Sequence, residues 1–194
     1  EKMLSLILKK IKNSQISKVE FLLLFIFFLP LGASEKDPLP LQIRNLEELA
    51  KNGNADIQYN LGVIFANGRD VEKDLERAAY WFNQSSLNGN AKAQYKLGYM
   101  YEKGLGVQKN IEKAVKHFLL AAQRGDADAQ YNLGIMYKLG NGVEEDHQES
   151  LKWYKLASVQ GHSAAQNNLN LLYEEGIATK QDILYAIKFY RCGN

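Results

Sequence analysis

Cysteine and proline are scarce in this sequence of 194 residues. Its one cysteine, Cys192, excludes a disulfide within the chain and any zinc site built from several cysteines. Its three prolines, Pro30, Pro38 and Pro40, leave everything after residue 40 free to form helices without a proline break. Because a thiol in a helix is usually buried, we expect Cys192 to be buried, with pairing to another chain as the alternative if the protein is exported.

The chain also lacks a strong charge of either sign. Its formal net charge is +2, but residues 1–33 hold five lysines and two glutamates, a net charge of +3, which leaves −1 for the remainder. That remainder mixes both signs and has no basic stripe along its length. A near-neutral surface does not attract a phosphate backbone. We therefore do not expect the protein to bind nucleic acid.

The first 33 residues have the pattern of a secretory signal peptide. Lysines at 9, 10, 12 and 18 precede an unbroken apolar run from Phe21 to Leu29, and small residues follow up to Ser34. This pattern predicts cleavage near Ser34 and an exported protein, periplasmic or secreted, that leaves the membrane when the leader is removed. An uncleaved membrane anchor is the alternative, although the apolar run is about half the roughly 20 residues that a spanning helix needs.

A repeat of 36 residues organises the chain from residue 54 onward. Its clearest marker is a glutamine that recurs at 58, 94, 130 and 166 without any insertion. The same spacing holds for Gly68, Gly104, Gly140 and Gly176, for Val71, Val107, Val143 and Thr179, and for Asp74, Asn110, Asp146 and Asp182. These markers predict units at 54–89, 90–125, 126–161 and 162–194, the last degenerate or truncated, after a lead-in segment at 34–53 that contains a partial helix.

Each unit has the pattern of two helices joined by a tight loop. In the second unit, Asn90 is suited to cap the first helix and Gly104 to end it, and Asn110 is suited to cap the second helix. In the third unit, Asp146 and Glu149 have the spacing of a capping box. The apolar residues of the second unit recur at helical spacing: Ala93, Leu97, Met100 and Tyr101, then Ala114, Val115, Phe118, Ala121 and Ala122. Neither helix can bury its apolar stripe alone, and so the units must stack into an all-α solenoid without a sheet.

The repeated string A-x-x-x-L-G-x-x-Y-x-x-G-x-G-V, followed by A-x-x-[W/H]-[F/Y]-x-x-A-A-x-x-G, resembles the Sel1-like repeat family, which is related to tetratricopeptide repeats. The resemblance covers residues 54–194. It implies a right-handed superhelical solenoid of helix-turn-helix repeats that holds other proteins or peptides and does not catalyse a reaction. The fourth unit departs from the pattern at Asn167, Asn170 and Ala178, and the first unit departs from it at Asp70.

A solenoid of this kind has a concave face lined by the first helix of each unit. By matching to tetratricopeptide relatives, the resemblance places twelve residues on this face: Asp56, Tyr59, Val63 and Asn67; Lys92, Tyr95, Tyr99 and Lys103; and Asp128, Tyr131, Ile135 and Leu139. We expect this face to bind a protein or peptide. The recurring Tyr59, Tyr95 and Tyr131 also fit a packing role between units, whereas Tyr99 and Lys103 recur less and are the better binding candidates.

Motifs of catalysis are missing: the sequence holds no Ser-x-x-Lys, Gly-x-Ser-x-Gly, His-Glu-x-x-His or phosphate-binding glycine loop. The three histidines occupy different repeat positions, His162 at a helix start, His117 at an aromatic packing position and His147 at the surface, and so neither a metal site nor a cofactor is expected. The resemblance leaves one alternative, a cell-envelope enzyme, because some cysteine-rich Sel1-like proteins are associated with β-lactam binding or hydrolysis. Those proteins carry a cysteine pair in each repeat, which this chain does not have.

Overall fold

The computed structural model describes residues 39–192, and the packing of side chains up to residue 186. The predicted signal peptide, residues 34–38 of the lead-in segment and the side chain of Cys192 lie outside the described residues. The helices in chain order are α1 (Leu41–Ala50), α2 (Ala55–Asn67), α3 (Leu75–Leu87), α4 (Ala91–Lys103), α5 (Ile111–Gln123), α6 (Ala127–Leu139), α7 (His147–Val159), α8 (Ser163–Glu174) and α9 (Lys180–Cys192). Residues 39–192 contain no strand, as the sequence predicts.

The helices pack as consecutive hairpins. Helix α1 packs on α2, and the pairs α2–α3, α4–α5, α6–α7 and α8–α9 each form a hairpin. Neighbouring hairpins meet where α3 packs on α4, α5 on α6, and α7 on α8. This arrangement confirms the predicted solenoid of helix pairs. None of the helices in the described part of the chain is both long and apolar enough to cross a membrane.

Local sequence sets the ends of the helices. The side-chain oxygens of Asn90 and Asn110 accept hydrogen bonds from the backbone N–H groups of Ala93 and Lys113 at the starts of α4 and α5. Helix α4 ends at Gly104, which has φ of 72° and donates its N–H to the Met100 carbonyl. Glycine takes this left-handed conformation without the steric cost that a Cβ brings, and the equivalent Gly68 and Gly140 do the same.

The two helices of a hairpin approach closely at a glycine. A Cβ at residue 98 of α4 would lie 2.9 Å from ring atoms of Phe118 on α5, and one at residue 62 would lie 2.6 Å from ring atoms of Phe82 on α3. The ring therefore fills the space that a side chain would take. This close approach buries Phe82 and Phe118 almost completely and gives the hairpin a packed aromatic centre.

A recurring glutamine links each unit to the one before it. The side-chain amide of Gln58 donates to the carbonyl of Ala50 at the end of α1 over 2.9 Å, and Gln94, Gln130 and Gln166 donate in the same way to Ser86, Ala122 and Ser158 over 3.1–3.3 Å. The last carbonyls of a helix have no partner within the helix itself. The glutamine supplies one, and this bond explains why the residue recurs every 36 positions.

The side-chain oxygen of this glutamine has a partner in only some of the described units. Asn88 donates to Gln58 Oε1 over 2.8 Å, and Gln160 donates to Gln130 Oε1 over 2.8 Å. The equivalent residue of the second unit is Arg124, and the buried Gln94 Oε1 has no hydrogen-bond partner among the described residues. A buried acceptor without a donor destabilises a fold.

We therefore expect Arg124→Gln to stabilise the protein by about 1 kcal/mol, because the new amide can reach Gln94 Oε1 as Gln160 reaches Gln130. Urea unfolding followed by circular dichroism measures the change. The reciprocal variant Gln160→Arg should lower the free energy of unfolding by a similar amount. If Arg124→Gln is neutral while Gln160→Arg is destabilising, the unpaired acceptor of Gln94 carries no cost.

The capping box that the sequence predicts in the third unit needs correction. The Asp146–Glu149 capping box forms only in part. Asp146 Oδ1 accepts a hydrogen bond from the backbone N–H of Glu149, but the reciprocal bond is missing. The backbone N–H of Asp146 donates to the carbonyl of Tyr137 instead, and the Glu149 carboxylate pairs with Lys152. The reciprocal box forms instead between Thr179 and Asp182, where each backbone N–H donates to the side chain of the other residue.

The fourth unit consequently begins its second helix early. The 36-residue period from the start of α7 predicts a helix start at residue 183 with Asp182 as its cap, whereas α9 starts at Lys180. Ala178 stands where the second and third units have a loop glycine, and it is not among the described residues with positive φ. Lys155 donates to Asp182 over 2.6 Å and, with Thr179, lowers the pKa of Asp182 to about 2. The altered loop therefore ties α9 to α7.

Candidate binding face

The side of α2, α4, α6 and α8 that includes Tyr99 and Leu139 is here called the first-helix face, and the twelve predicted binding residues lie on three of these helices, α2, α4 and α6. Hydrogen bonds and ion pairs connect these helices across the units. Lys138 on α6, for example, pairs with Glu175 after α8 at 2.9 Å, although neither residue is among the twelve. The twelve residues form four rows across the units, and the structure gives the rows different roles.

The row of tyrosines packs within and between the units. The ring centroids of Tyr59 and Phe82 are 5.7 Å apart, those of Tyr95 and Phe118 are 5.7 Å apart, and those of Tyr131 and Tyr154 are 6.0 Å apart. Each tyrosine is half-buried, and burial raises the pKa values of Tyr59 and Tyr95. Tyr131 also stacks on His162 of the fourth unit, and Tyr95 packs against a cluster that includes Ala129 and Leu133 of the third unit. These tyrosines therefore pack on the second helix of their own unit and also between units, as the sequence suggested.

The row of charged residues near the helix starts joins neighbouring units. The side-chain amide of Asn90 donates to Asp56 Oδ1 over 3.0 Å, and His162 Nε2 lies 3.3 Å from Asp128 Oδ1. At the junction between these two, burial raises the pKa of Asp126, and the charge of nearby Lys92 opposes that rise. Asn90 and His162, which cap α4 and α8, therefore face the charged residue of the preceding unit.

His162 shows how one side chain serves both neighbours. Its Nδ1 accepts a hydrogen bond from the N–H of Ala165 and so caps α8, while its Nε2 faces Asp128 on α6. Its ring stacks on Tyr131, with the centroids 4.5 Å apart. His162 is thus a helix-start residue, as the sequence predicts, and it is also one of the links between the third and fourth units.

The two remaining rows are mixed, because Val63 and Ile135 pack against the core while the other four residues are exposed. Tyr99 is 40% exposed and Leu139 is 65% exposed, values that are high for large apolar side chains. Lys103 lies over the Tyr99 ring at 5.7 Å and pairs with the adjacent Glu102 at 2.8 Å. Val63 and Ile135 are half-buried, and Asn67 is exposed. Leu171 of α8, in the same row as Tyr99, is 47% exposed and belongs to this surface, although the sequence matching did not select it.

The other two histidines lie on the second helices α5 and α7. His117 stacks on Tyr101 with an interplanar angle of 7°, and burial lowers its pKa. His147 Nε2 lies 3.1 Å from Glu145 Oε1. In the part of the chain that the structure describes, no three His, Cys, Asp or Glu side chains are grouped as a metal site requires. The chemistry that the first-helix face itself offers is apolar, aromatic and cationic contact, which suits binding.

Comparison with known proteins agrees with this architecture. A family model described as Sel1 repeat matches residues 55–90, 91–126, 127–162 and 163–193. A Sel1 repeat protein from Oxalobacter formigenes is similar over 78% of this chain and 64% of its own, with 31% sequence identity and a TM-score of 0.69. The protein c5321, described as a protective antigen of uropathogenic Escherichia coli with an SLR fold, is similar over 75% of this chain and 31% of its own, with 32% identity and a TM-score of 0.67.

The chain thus spans less than two thirds of the length of either relative. Helicobacter pylori cysteine rich protein B is similar over 66% of this chain and 96% of its own, with a TM-score of 0.52. Its sequence identity of 19% supports a shared fold alone. No curated protein sequence matches the chain significantly.

Proposed function

Because the chain belongs to the Sel1 repeat family, we propose that it is an exported adaptor that holds a protein or peptide on its concave face. Sel1 repeat proteins are generally scaffolds for interactions between proteins. The export is supported by the basic front and short apolar run of the first 33 residues. The observation that carries the binding role is the exposure of Tyr99 and Leu139, large apolar side chains that the fold leaves in solvent.

Exposure at these positions is informative because their neighbours in the same unit are buried. Leu97 and Met100, on either side of Tyr99, are at most 4% exposed. The two outward rows also vary between units, reading Val, Tyr, Ile and Leu, and Asn, Lys, Leu and Glu. Variation at such positions costs the fold little, so that a surface specific for one partner can be formed there.

The double variant Tyr99→Ala with Lys103→Glu should abolish capture of the native partner, because it removes a large aromatic contact and reverses a charge. Affinity capture from native cells, followed by mass spectrometry, measures this loss. The matched control is Tyr80→Ala with Lys116→Glu, which makes the same two changes on α3 and α5, where both residues are exposed. The control should capture the partner normally, and both double variants should retain the helical circular dichroism spectrum.

A different pattern of capture would contradict the proposal. Normal capture by the Tyr99 and Lys103 variant, with loss in the control, would move the binding surface to the second helices. The enzyme alternative is separable with a nitrocefin assay, in which we expect no hydrolysis. Hydrolysis that one point mutation abolishes would show that binding is not the whole function.

A further inference from the structure

The first helices differ in the charge of their exposed stripes. On α4, Lys92, Lys96, Tyr99 and Lys103 follow one another at steps of three or four residues, and all four are exposed. The equivalent stripes of α2, α6 and α8 each hold one acidic residue and no basic residue. A cationic stripe therefore lies within the first-helix face and is flanked by stripes with little charge.

The acidic residues of the flanking stripes already have donors within the protein. Asp56 accepts from Asn90, Asp128 faces His162, and Glu175 pairs with Lys138. Lys96 has no ion pair, and its Nζ lies 5.7 Å from the centroid of the Tyr95 ring. Lys103 pairs only with the adjacent Glu102, and its side chain is 48% exposed. A hydrogen bond from the neutral Asn90 amide leaves the negative charge of Asp56 in place. The positive charge that this face offers to a partner lies on α4, at Lys92, Lys96 and Lys103.

The apolar surface lies beside this charge, on the following helices. Ile135 and the exposed Leu139 lie on α6, and the exposed Leu171 lies on α8. In the first unit, the position equivalent to Leu139 is the polar Asn67. The face thus changes from cationic on α4 to apolar on α6 and α8 in one direction along the solenoid.

We propose that the partner is an extended peptide segment in which acidic residues contact Lys96 and Lys103, and apolar residues contact first Leu139 and then Leu171. The second helices α5 and α7 each pack on the first helices on both sides of them, so that α4, α6 and α8 follow one another along the solenoid. An extended chain, which advances about 3.3 Å per residue, would therefore place an acidic residue and then two apolar residues on successive first helices. This inference rests on the proposed function, because it specifies the chemistry of the partner on the same face.

Selection from a phage library of random twelve-residue peptides on the immobilised full chain tests this pattern. The enriched peptides should carry Asp or Glu with two apolar residues on the same side of it in the sequence. The double variant Lys96→Asn with Lys103→Asn should bind a synthetic copy of the most enriched peptide about tenfold more weakly. These changes suit the fold, since Asn60, Asn132 and Asn168 occupy the slot of Lys96 and Asn67 occupies that of Lys103.

Leu139→Asn, which copies Asn67, should weaken binding of the same peptide to a similar extent. Peptides without an acidic preference that still require Leu139 would overturn the proposed charge pattern and leave the proposed function intact. Apolar residues spaced three and four apart, as on one face of a helix, would overturn the extended conformation. Enriched peptides that neither Leu139→Asn nor the lysine variant affects would contradict both the inference and the proposed function.

Discussion

Replacement of Gly106 by alanine should destabilise the protein by roughly 2–5 kcal/mol. Gly106 lies in the loop between α4 and α5 with φ of 65°, where a Cβ alone costs about 1–2 kcal/mol. A Cβ at this position would also overlap the backbone carbonyl of Leu75, in the first turn of α3. A backbone group cannot rotate away as a side chain can, and so the loop must move away from α3 at a further cost of about 1–3 kcal/mol.

Gly125→Ala is the matched control for this variant. Gly125 follows α5 with φ of 89°, but a Cβ there would meet no atom within 4 Å. It should therefore cost only the conformational part, about 1–2 kcal/mol. Thermal and urea unfolding of both variants give the two values. Equal losses would mean that the contact between the loop of one unit and the second helix of the preceding unit adds nothing to stability.

The same loop position explains why one exception to the repeat is tolerated. Asp70 replaces the loop glycine in the first unit and has φ of 61°, and its side chain is 79% exposed. The position that corresponds to Leu75 is residue 39, which precedes the start of α1. No helical turn lies there to block a side chain, and an aspartate tolerates the left-handed conformation better than most residues. The sequence identified the departure, and only the packing explains it.

Periodicity was sufficient to predict the helix pairs, because it depends on local chemistry. Capping side chains, terminal glycines and apolar spacing act within about one turn of the residue concerned. The bond from Gln94 to Ser86 crosses eight residues, and those from Asn90 to Asp56 and from Lys138 to Glu175 cross 34 and 37. A 36-residue period shows that such positions recur, but it does not show which atoms meet. The role of the glutamine could have been inferred from its burial, since a buried amide needs a partner.

The prediction of the binding face was limited for the same reason. Matching to tetratricopeptide relatives selects positions on one side of a helix. It does not distinguish residues whose side chains make contacts within the protein from residues whose side chains remain exposed to a partner. Tyr95 packs on Phe118 and Asp128 faces His162, whereas Tyr99 and Leu139 remain exposed. Lys96, one turn before Tyr99, was not selected, although it is an exposed cation of this face without an ion pair. The packed and the exposed residues differ in their side-chain contacts, and the 36-residue period does not show those contacts.

Replacement of Leu97 by alanine should destabilise the protein by roughly 2–5 kcal/mol and lower its melting temperature by roughly 5–15 °C. Leu97 is 1% exposed and belongs to the cluster that includes Phe82 of α3, so that it packs where the first and second units meet. The truncated side chain leaves a cavity at that junction. In a solenoid each unit contacts only its neighbours, and a weakened central junction cannot be compensated by contacts from elsewhere.

Lys96→Ala is the control for Leu97, because it changes the adjacent residue on the exposed side of the same helix. Its loss should be at most about 0.5 kcal/mol, since surface substitutions away from caps and ion pairs change stability little. Differential scanning calorimetry of both variants measures the contrast. Equal melting temperatures would place the packed side of α4 elsewhere. Because Lys96 is a proposed partner contact while Leu97 is a packing residue, Lys96→Ala should weaken partner binding in a fully folded protein. Leu97→Ala should reduce binding only in proportion to the fraction of unfolded protein.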